Sequence, residues 1–390
     1  MLIKNGLVFL NKHFERADIA FTDVITGIFK ADRVRKANNA ETPEKDSFPS
    51  CRSYTSENDI IDAEGAYIVP GFIDIHTHGA AGEDFSDGKT VSIKKLSGFY
   101  ASQGVTSFLA TTATLSENEY LEAAEKIRET EIYNGAKCLG LHLEGPFLSH
   151  EKKGSQNPVN LRNPDIRLFE KINKASGNKV KIITIAPELP NATEFIKEIS
   201  KVCTVSLGHT TADYATAMKA FAAGASHLTH LFNAMPPMLH RTPGIIAAAA
   251  DSGASVEIIC DGIHIHPAAI RMAYRVFGDK LNLISDSLRC AGMPNGSYMF
   301  AGQQINLKDG KATLSDGTIA GSAISLHTAV KNFVKFGMPL ENAVYAASTA
   351  PADAINAKNI GRIAVGCSAD ILIFDKDLNI TKVFINGKPV

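Results

Sequence analysis

Through the middle of the chain, short apolar runs alternate with amphipathic stretches. Eight of the runs read as strands, at 72–78, 104–110, 138–144, 180–186, 203–208, 226–231, 255–260 and 281–286. Apolar strands separated by helices call for a parallel sheet covered on its faces. Eight of them predict an α/β fold, a closed (β/α)8 TIM-like barrel. One helix follows Leu115, where Ser116 and Glu119 fit a capping box and Leu121, Ala124 and Ile127 mark an apolar stripe. Another begins near Pro339, a residue suited to a first helical turn. Residues 294–318, rich in Gly, Asn and Asp, predict a hairpin inserted after strand eight.

Both ends of the chain follow a different period. Leu2-Ile3-Lys4 and Leu7-Val8-Phe9 flank an Asn5-Gly6 turn, and strand character returns at 23–29 and 59–69. The C-terminal end repeats it at 369–374 and 380–385, closed by Asn386-Gly387. The ends are β-rich and the middle is not, so 1–69 and 356–390 are expected to meet in one small β domain beside a barrel spanning 70–355. Between them, residues 31–58 turn polar, with Pro43 and Pro49, and read as a surface excursion.

Charge and cysteine content narrow the function classes. With 40 basic and 41 acidic residues among 390, no field favours nucleic acid or an anionic membrane. No charged head leads into a long apolar stretch, and no run reaches the roughly 20 apolar residues of a membrane span. A cytoplasmic protein is expected. Cysteines at 51, 138, 203, 260, 290 and 367 show no Cys-x-x-Cys pairing and read as reduced and mostly buried.

Candidate chemistry begins at Pro70-Gly71-Phe72-Ile73-Asp74-Ile75-His76-Thr77-His78-Gly79. A strand points residues i and i+2 to the same side, so His76 and His78 face one point, a plausible half of a divalent-metal site. Active sites of such barrels sit at the C-terminal ends of the strands. There the chain places Glu144 after strand three, His209 after strand five, His230 after strand six and Asp286 after strand eight. Metal-type or acid/base residues thus end five strands.

These residues carry a resemblance. The Pro-Gly-Phe-Ile-Asp-Ile-His-Thr-His-Gly stretch resembles the metal signature of the amidohydrolase superfamily. Within it the chain is similar, over nearly its whole length, to N-acetylglucosamine-6-phosphate deacetylases. The discriminating motifs are His142-Leu143-Glu144-Gly145-Pro146-Phe147, Leu207-Gly208-His209-Thr210, Thr229-His230-Leu231-Phe232-Asn233-Ala234-Met235, Asp261-Gly262-Ile263-His264 and Ile319-Ala320-Gly321-Ser322. The resemblance implies a barrel with a small β-sandwich built from both chain ends. It implies Glu144, His209 and His230 as principal ligands of a divalent ion. His76 and His78 match the pair that holds a second ion in members retaining it. Strand four ends in Ile185-Ala186-Pro187-Glu188 without lysine, leaving Glu144 as the natural bridging group.

Asp286 matches the family's catalytic aspartate, taking a proton from the attacking water and returning it to the departing nitrogen. Arg241 matches the phosphate-binding arginine, with Asn233 and Ala234 as donors beside it and His264 as a further substrate contact. Ser155, Gln156 and the Ile319-Ala320-Gly321 run complete the implied substrate site, and a phosphate end close to a subunit boundary implies a homodimer. One departure stands out: the family's usual Lys-Gly-Ala-His-Asn-Pro reads Lys153-Gly154-Ser155-Gln156-Asn157-Pro158, with an amide that hydrogen-bonds but cannot become cationic. His13, His150, His227, His240 and His327 carry no pattern supporting a role. His142 supports the site at most from behind, and His266 is exposed or near the pocket mouth.

The leading expectation is deacetylation of N-acetylglucosamine 6-phosphate. The same hydrolysis of N-acetylgalactosamine 6-phosphate or another N-acyl amino sugar is the close alternative, and a non-catalytic scaffold the distant one. Imidazole and carboxylate suit zinc, iron, manganese and cobalt alike.

Overall fold

In the computed structural model, which describes residues 1–30 and 59–390, the eight runs become Phe72–Asp74, Val105–Thr112, Lys137–Glu144, Val180–Ile185, Thr204–Leu207, His227–Leu228, Ser255–Ile259 and Leu281–Ile284. The polar stretch 31–58, with Cys51, lies outside the described residues. The strands pair in chain order, each parallel to the next. Every residue of Val105–Thr112 is buried, as a strand covered on both faces requires. Alternation then sorts side chains. Val256, Ile258, Leu281 and Leu283 face the outer core under the helices, while Ile73, Leu109, Ile182, Ile259 and Ile284 form an apolar cluster with Ala352 and Ile355.

The seam between strand eight and strand one is bridged at loop level. Asp286 N–H donates to the His76 carbonyl at 2.9 Å, and His78 and Gly79 N–H both donate to the Ser287 carbonyl, at 2.9 and 3.0 Å. The ring is therefore locked by the backbone of the candidate site residues themselves.

The helix Glu117–Glu129 starts at Ser116 with both halves of the capping box formed. Tyr120, Ala123, Ala124 and Ile127 are its buried face, with Leu121 at the rim. The helix Leu340–Ala347 follows Pro339, which caps it rather than occupying its first turn. The insertion after strand eight holds three antiparallel strands, Gly296–Phe300, Gln303–Lys308 and Lys311–Thr313, one more than the expected hairpin. Asp309 and Gly310, at φ 52° and 80°, form a second tight turn of the kind that joins antiparallel strands. Phe300, Ile305, Leu307 and Ala312 pack on Leu288 and Ala320, which seats this sheet over the barrel mouth.

The chain ends meet in one β domain, connected as a single eight-stranded sheet in the order Lys388–Pro389, Ile380–Ile385, Ile371–Phe374, Tyr67–Pro70, Leu2–Leu10, His13–Phe21, Ile25–Lys30, with Ile60–Asp62 also pairing to Leu2–Leu10. Its period-2 pattern serves two cores. Val8, Ile68, Ile371, Ile373 and Phe384 fill the domain's own interior, while Phe9, Val69, Leu372, Phe374 and Val383 join the barrel core. Cys138, Cys203, Cys260, Cys290 and Cys367 are free thiols, and among the described residues no helix is long and apolar enough to cross a membrane.

A polar clamp joins the two parts. Lys137 Nζ, on barrel strand three, donates to Asp370 Oδ2 at 2.5 Å, to Ser368 Oγ at 3.1 Å and to Asn386 Oδ1 at 3.2 Å. Asp370 is only 2% exposed. Lys137→Met leaves that carboxylate without its cation and is expected to cost about 1–3 kcal/mol. Chemical denaturation checks this, and an unchanged midpoint would remove the clamp from the stability account.

Candidate active site

Strand one ends at Asp74, so His76 and His78 lie beyond the paired strand rather than within it. Their convergence rests on a bend at Ile75 and His76 held by other contacts. Thr77 points the opposite way: its N–H donates to Thr111 Oγ1 at 2.9 Å, and its hydroxyl lies 2.8 Å from Tyr100 Oη and from Ser287 Oγ. With Thr77 pinned outward, both flanking imidazoles turn inward, their ring centroids 5.3 Å apart. His209, His230 and Asp286 also lie past their strands, at φ 47°, 27° and 48°. Left-handed backbone at residues other than glycine costs on the order of 1–2 kcal/mol each and accumulates at functional sites.

These turns bring the side chains together around Glu144, the last residue of strand three. His209 Nε2 and His230 Nε2 each lie 3.1 Å from Glu144 Oε1 and 3.0 Å from one another. From the other side, His76 Nε2 lies 3.3 Å from Glu144 Oε1 and 3.4 Å from Asp286 Oδ1. His78 Nε2 lies 3.1 Å from Glu144 Oε2 and 3.5 Å from Asp286 Oδ1. Among the described residues, the ligand atoms of Glu144–His209–His230 and of His76–His78–Asp286 lie close enough to share one ion in each group, as do those of His76, His142 and Glu257.

The opposite ring nitrogens test whether a cation fits. His209 Nδ1 donates to the Lys152 carbonyl at 2.8 Å, and a carbonyl can only accept. His76 Nδ1 donates to Glu257 Oε2 at 2.8 Å. In the neutral rings the proton is therefore on Nδ1 and the Nε2 lone pair points at carboxylate oxygens. Lone pairs facing lone pairs repel, and His76 Nε2 is buried without a hydrogen-bond partner. A divalent cation in each group resolves the conflict.

Charge follows the same geometry. Burial works to raise the Glu144 carboxyl, but the charge and hydrogen bonds of the His76, His209 and His230 rings in their protonated form outweigh it and hold it well below the usual range. Burial likewise opposes ionisation of Asp286, and protonated His76 and His78 overcome it. Burial pushes His142 down to about 3, so it stays neutral. Its Nδ1 donates to the Ile75 carbonyl at 3.0 Å and its Nε2 accepts from Thr184 Oγ1 at 2.8 Å, which leaves no nitrogen for an ion.

Above the carboxylates opens a cavity of about 310 Å³. Ser155, Gln156, Asn233, Ala234, His264, Ile319 and Gly321 line it beside His78, Glu144, His209, His230 and Asp286. His264 is oriented by Asp261, whose Oδ2 accepts from its Nδ1 at 2.6 Å. The Gln156 amide is turned inward: its oxygen accepts Thr114 N–H at 2.7 Å and its nitrogen donates to Glu144 Oε2.

Two expected substrate residues stand elsewhere. Ala320 is buried against Phe300, Ile305 and Leu307, its N–H spent on the Ala312 carbonyl, so it does not reach the cavity. Arg241 sits on an exposed loop outside the walls of its own chain's cavity, because the turn at 239–242 carries it outward. Sequence reading also passed over Lys152, which lines the cavity, and Glu257, whose signal was a lone carboxylate within the apolar strand Ser255–Ile259.

The model of the Amidohydrolase family matches residues 67–390. The chain belongs to the amidohydrolase family. Among members of this family, the N-acetylglucosamine-6-phosphate deacetylase of Bacillus subtilis (strain 168) is 37% identical over 332 residues, covering 82% of this chain and 83% of that one. The crystal structure of N-acetylglucosamine-6-phosphate deacetylase from Pasteurella multocida superposes with a TM-score of 0.88 at 30% identity, covering 100% of this chain and 99% of the other. A mutant of the Mycobacterium smegmatis N-acetyl-D-glucosamine-6-phosphate deacetylase, in complex with N-acetyl-D-glucosamine-6-phosphate, gives 0.87 at 28% identity, covering 100% and 98%.

If Glu144, His209 and His230 hold an ion, His230→Ala should lower bound metal by about one equivalent per chain and abolish any dependent activity. Elemental analysis finding wild-type metal content in that variant would remove His230 from the ligand set.

Proposed function

We propose that this amidohydrolase removes the acetyl group of N-acetylglucosamine 6-phosphate, giving glucosamine 6-phosphate and acetate in amino-sugar breakdown. The observation that carries the reading is the place of Asp286: a carboxylate at the cavity wall, 3.4–3.5 Å from both imidazoles of the second ligand group. Amide hydrolysis needs a strong nucleophile and a proton for a poor leaving group. Glu144, His209 and His230 would hold one divalent ion and His76 and His78 a second, which would supply Lewis acidity, bringing the pKa of a bound water down toward roughly 7. Asp286, kept ionised by its neighbours, accepts the proton of the attacking water. It then returns that proton to the amide nitrogen as the C–N bond breaks. His264, fixed by Asp261, and the donors near Asn233 and Ala234 hold the sugar, while Phe300, its ring 5.1 Å from that of His78, covers the mouth against water.

At the phosphate end the chain's own cation is Lys152. Arg241 fits as a contribution from a second copy of the chain. It lies outside its own cavity, and Met238 and Leu239 beside it are 49% and 53% exposed, an apolar face suited to a homodimer contact. A phosphorylated sugar does not cross membranes unaided, so the reading places the enzyme in the cytoplasm.

Asp286→Asn keeps size but cannot take a proton, so turnover should fall by about 10²–10⁴-fold while the ion at Glu144, His209 and His230 is kept. Near-wild-type kcat would exclude Asp286 as the base. Arg241→Gln should raise KM for the phosphorylated sugar by about 10–100-fold, the worth of one charge-assisted contact, and leave the unphosphorylated sugar unaffected. Parallel kinetics on the N-acetylglucosamine and N-acetylgalactosamine 6-phosphates test the substrate itself. A higher kcat/KM for the galactose epimer would replace the proposed substrate with its rival.

A further inference from the structure

Behind His76, on the side away from the cavity, the barrel interior holds a carboxylate that the proposed chemistry does not use. Glu257 is fully buried, and so are the side chains around it. Its Oε2 accepts from His76 Nδ1 at 2.8 Å and from the backbone N–H of His230 at 3.1 Å, and its Oε1 lies 3.2 Å from His227 Nε2. An ionised carboxylate inside a barrel is expensive unless it is well hydrogen-bonded, and here three nitrogens meet its two oxygens. The His76 ring is held from the side as well. His142 packs edge-on against it at 4.5 Å between centroids, and both His142 nitrogens are committed elsewhere.

His78 has no such support. Its Nδ1 is buried without a hydrogen-bond partner, so no acceptor holds a proton there and away from the carboxylates that face Nε2. The second ligand group therefore depends on His76 for its preorganised member. We propose that Glu257 is the positioning residue of a second divalent-ion site: it holds the proton of His76 on Nδ1 and so leaves Nε2 bare toward Asp286 and Glu144. This rests on the two-ion reading given above. The ion at Glu144, His209 and His230 does not share the dependence. His209 is set by the Lys152 carbonyl, and Glu257 touches only the backbone of His230.

Glu257→Gln keeps the volume and one acceptor oxygen. That oxygen can still face His76, with the amide NH2 toward His227, which can change tautomer to receive it. Glu257→Leu removes the acceptor. The test is a chelator-competition titration with zinc of metal-free wild type and both variants, with elemental analysis of stoichiometry and the thermal midpoint of each metal-free form.

Wild type is expected to bind two ions. The weaker-held ion should lose affinity in the order wild type, E257Q, E257L, by about 10–100-fold in the last, with the first ion kept. Should E257L fail to fold, the graded loss in E257Q decides. Equal second-ion affinity across the proteins overturns the proposal, as does parallel loss of both ions with a lowered metal-free midpoint, the sign of a merely structural role. A wild type that binds a single ion under saturating zinc overturns the two-ion reading itself, and that result is distinguishable because it is read before any variant.

Discussion

The rest of the structure depends on one electrostatic constraint, the crowding of acceptors at Glu144. Four imidazole nitrogens surround its buried carboxylate at the barrel mouth, and two of them also face an Asp286 oxygen. Two of those rings donate their Nδ1–H to the Lys152 carbonyl and to Glu257, so when neutral they meet Glu144 with lone pairs. Without positive charge between them such an assembly repels itself. A divalent cation there would turn each lone pair into a ligand bond and give the cavity a Lewis acid.

Holding that arrangement shapes the fold around it. The barrel seam is bridged by backbone of His76, His78 and Asp286, so the ligand loops and the last strand–strand contact are one structure. His209, His230 and Asp286 adopt left-handed backbone at strand ends, a local cost offset by the covered core below. The three-stranded insertion adds the roof, placing Phe300 against His78. Below the ligands the barrel is polar where it must be. Thr184, having donated to His142, accepts from Thr229, which accepts from Ser206, so these buried hydroxyls are satisfied in series.

Much of this was legible in the residues. Eight apolar runs separated by amphipathic segments announced the barrel, and the capping box at Ser116 located a helix start, because both signals are local. The ligand-type residues were legible because the barrel's topology sends strand ends to one face. Other features are products of tertiary geometry. Strand one stops at Asp74, so strand periodicity alone does not explain why His76 and His78 converge; Thr77 and its partners do. The segment 226–231 shrinks to His227–Leu228 because the chain must turn to deliver His230. Ala320 and Arg241 stand in substrate-site motifs, yet one packs inward and the other faces solvent, a distinction of direction that a motif does not encode. Glu257 and the inward turn of Gln156 acquire meaning only from partners 181 and 12 residues away.

The central claim is that cations, not protons, hold these side chains in register. Anomalous X-ray diffraction from crystals of the metal-loaded protein, recorded on either side of the absorption edge of the bound ion, tests it most directly. The account predicts anomalous density among Glu144, His209 and His230, with a second peak among His76, His78 and Asp286. Crystals grown at saturating metal that show neither peak, with the imidazoles hydrogen-bonded straight to the carboxylates, would contradict it.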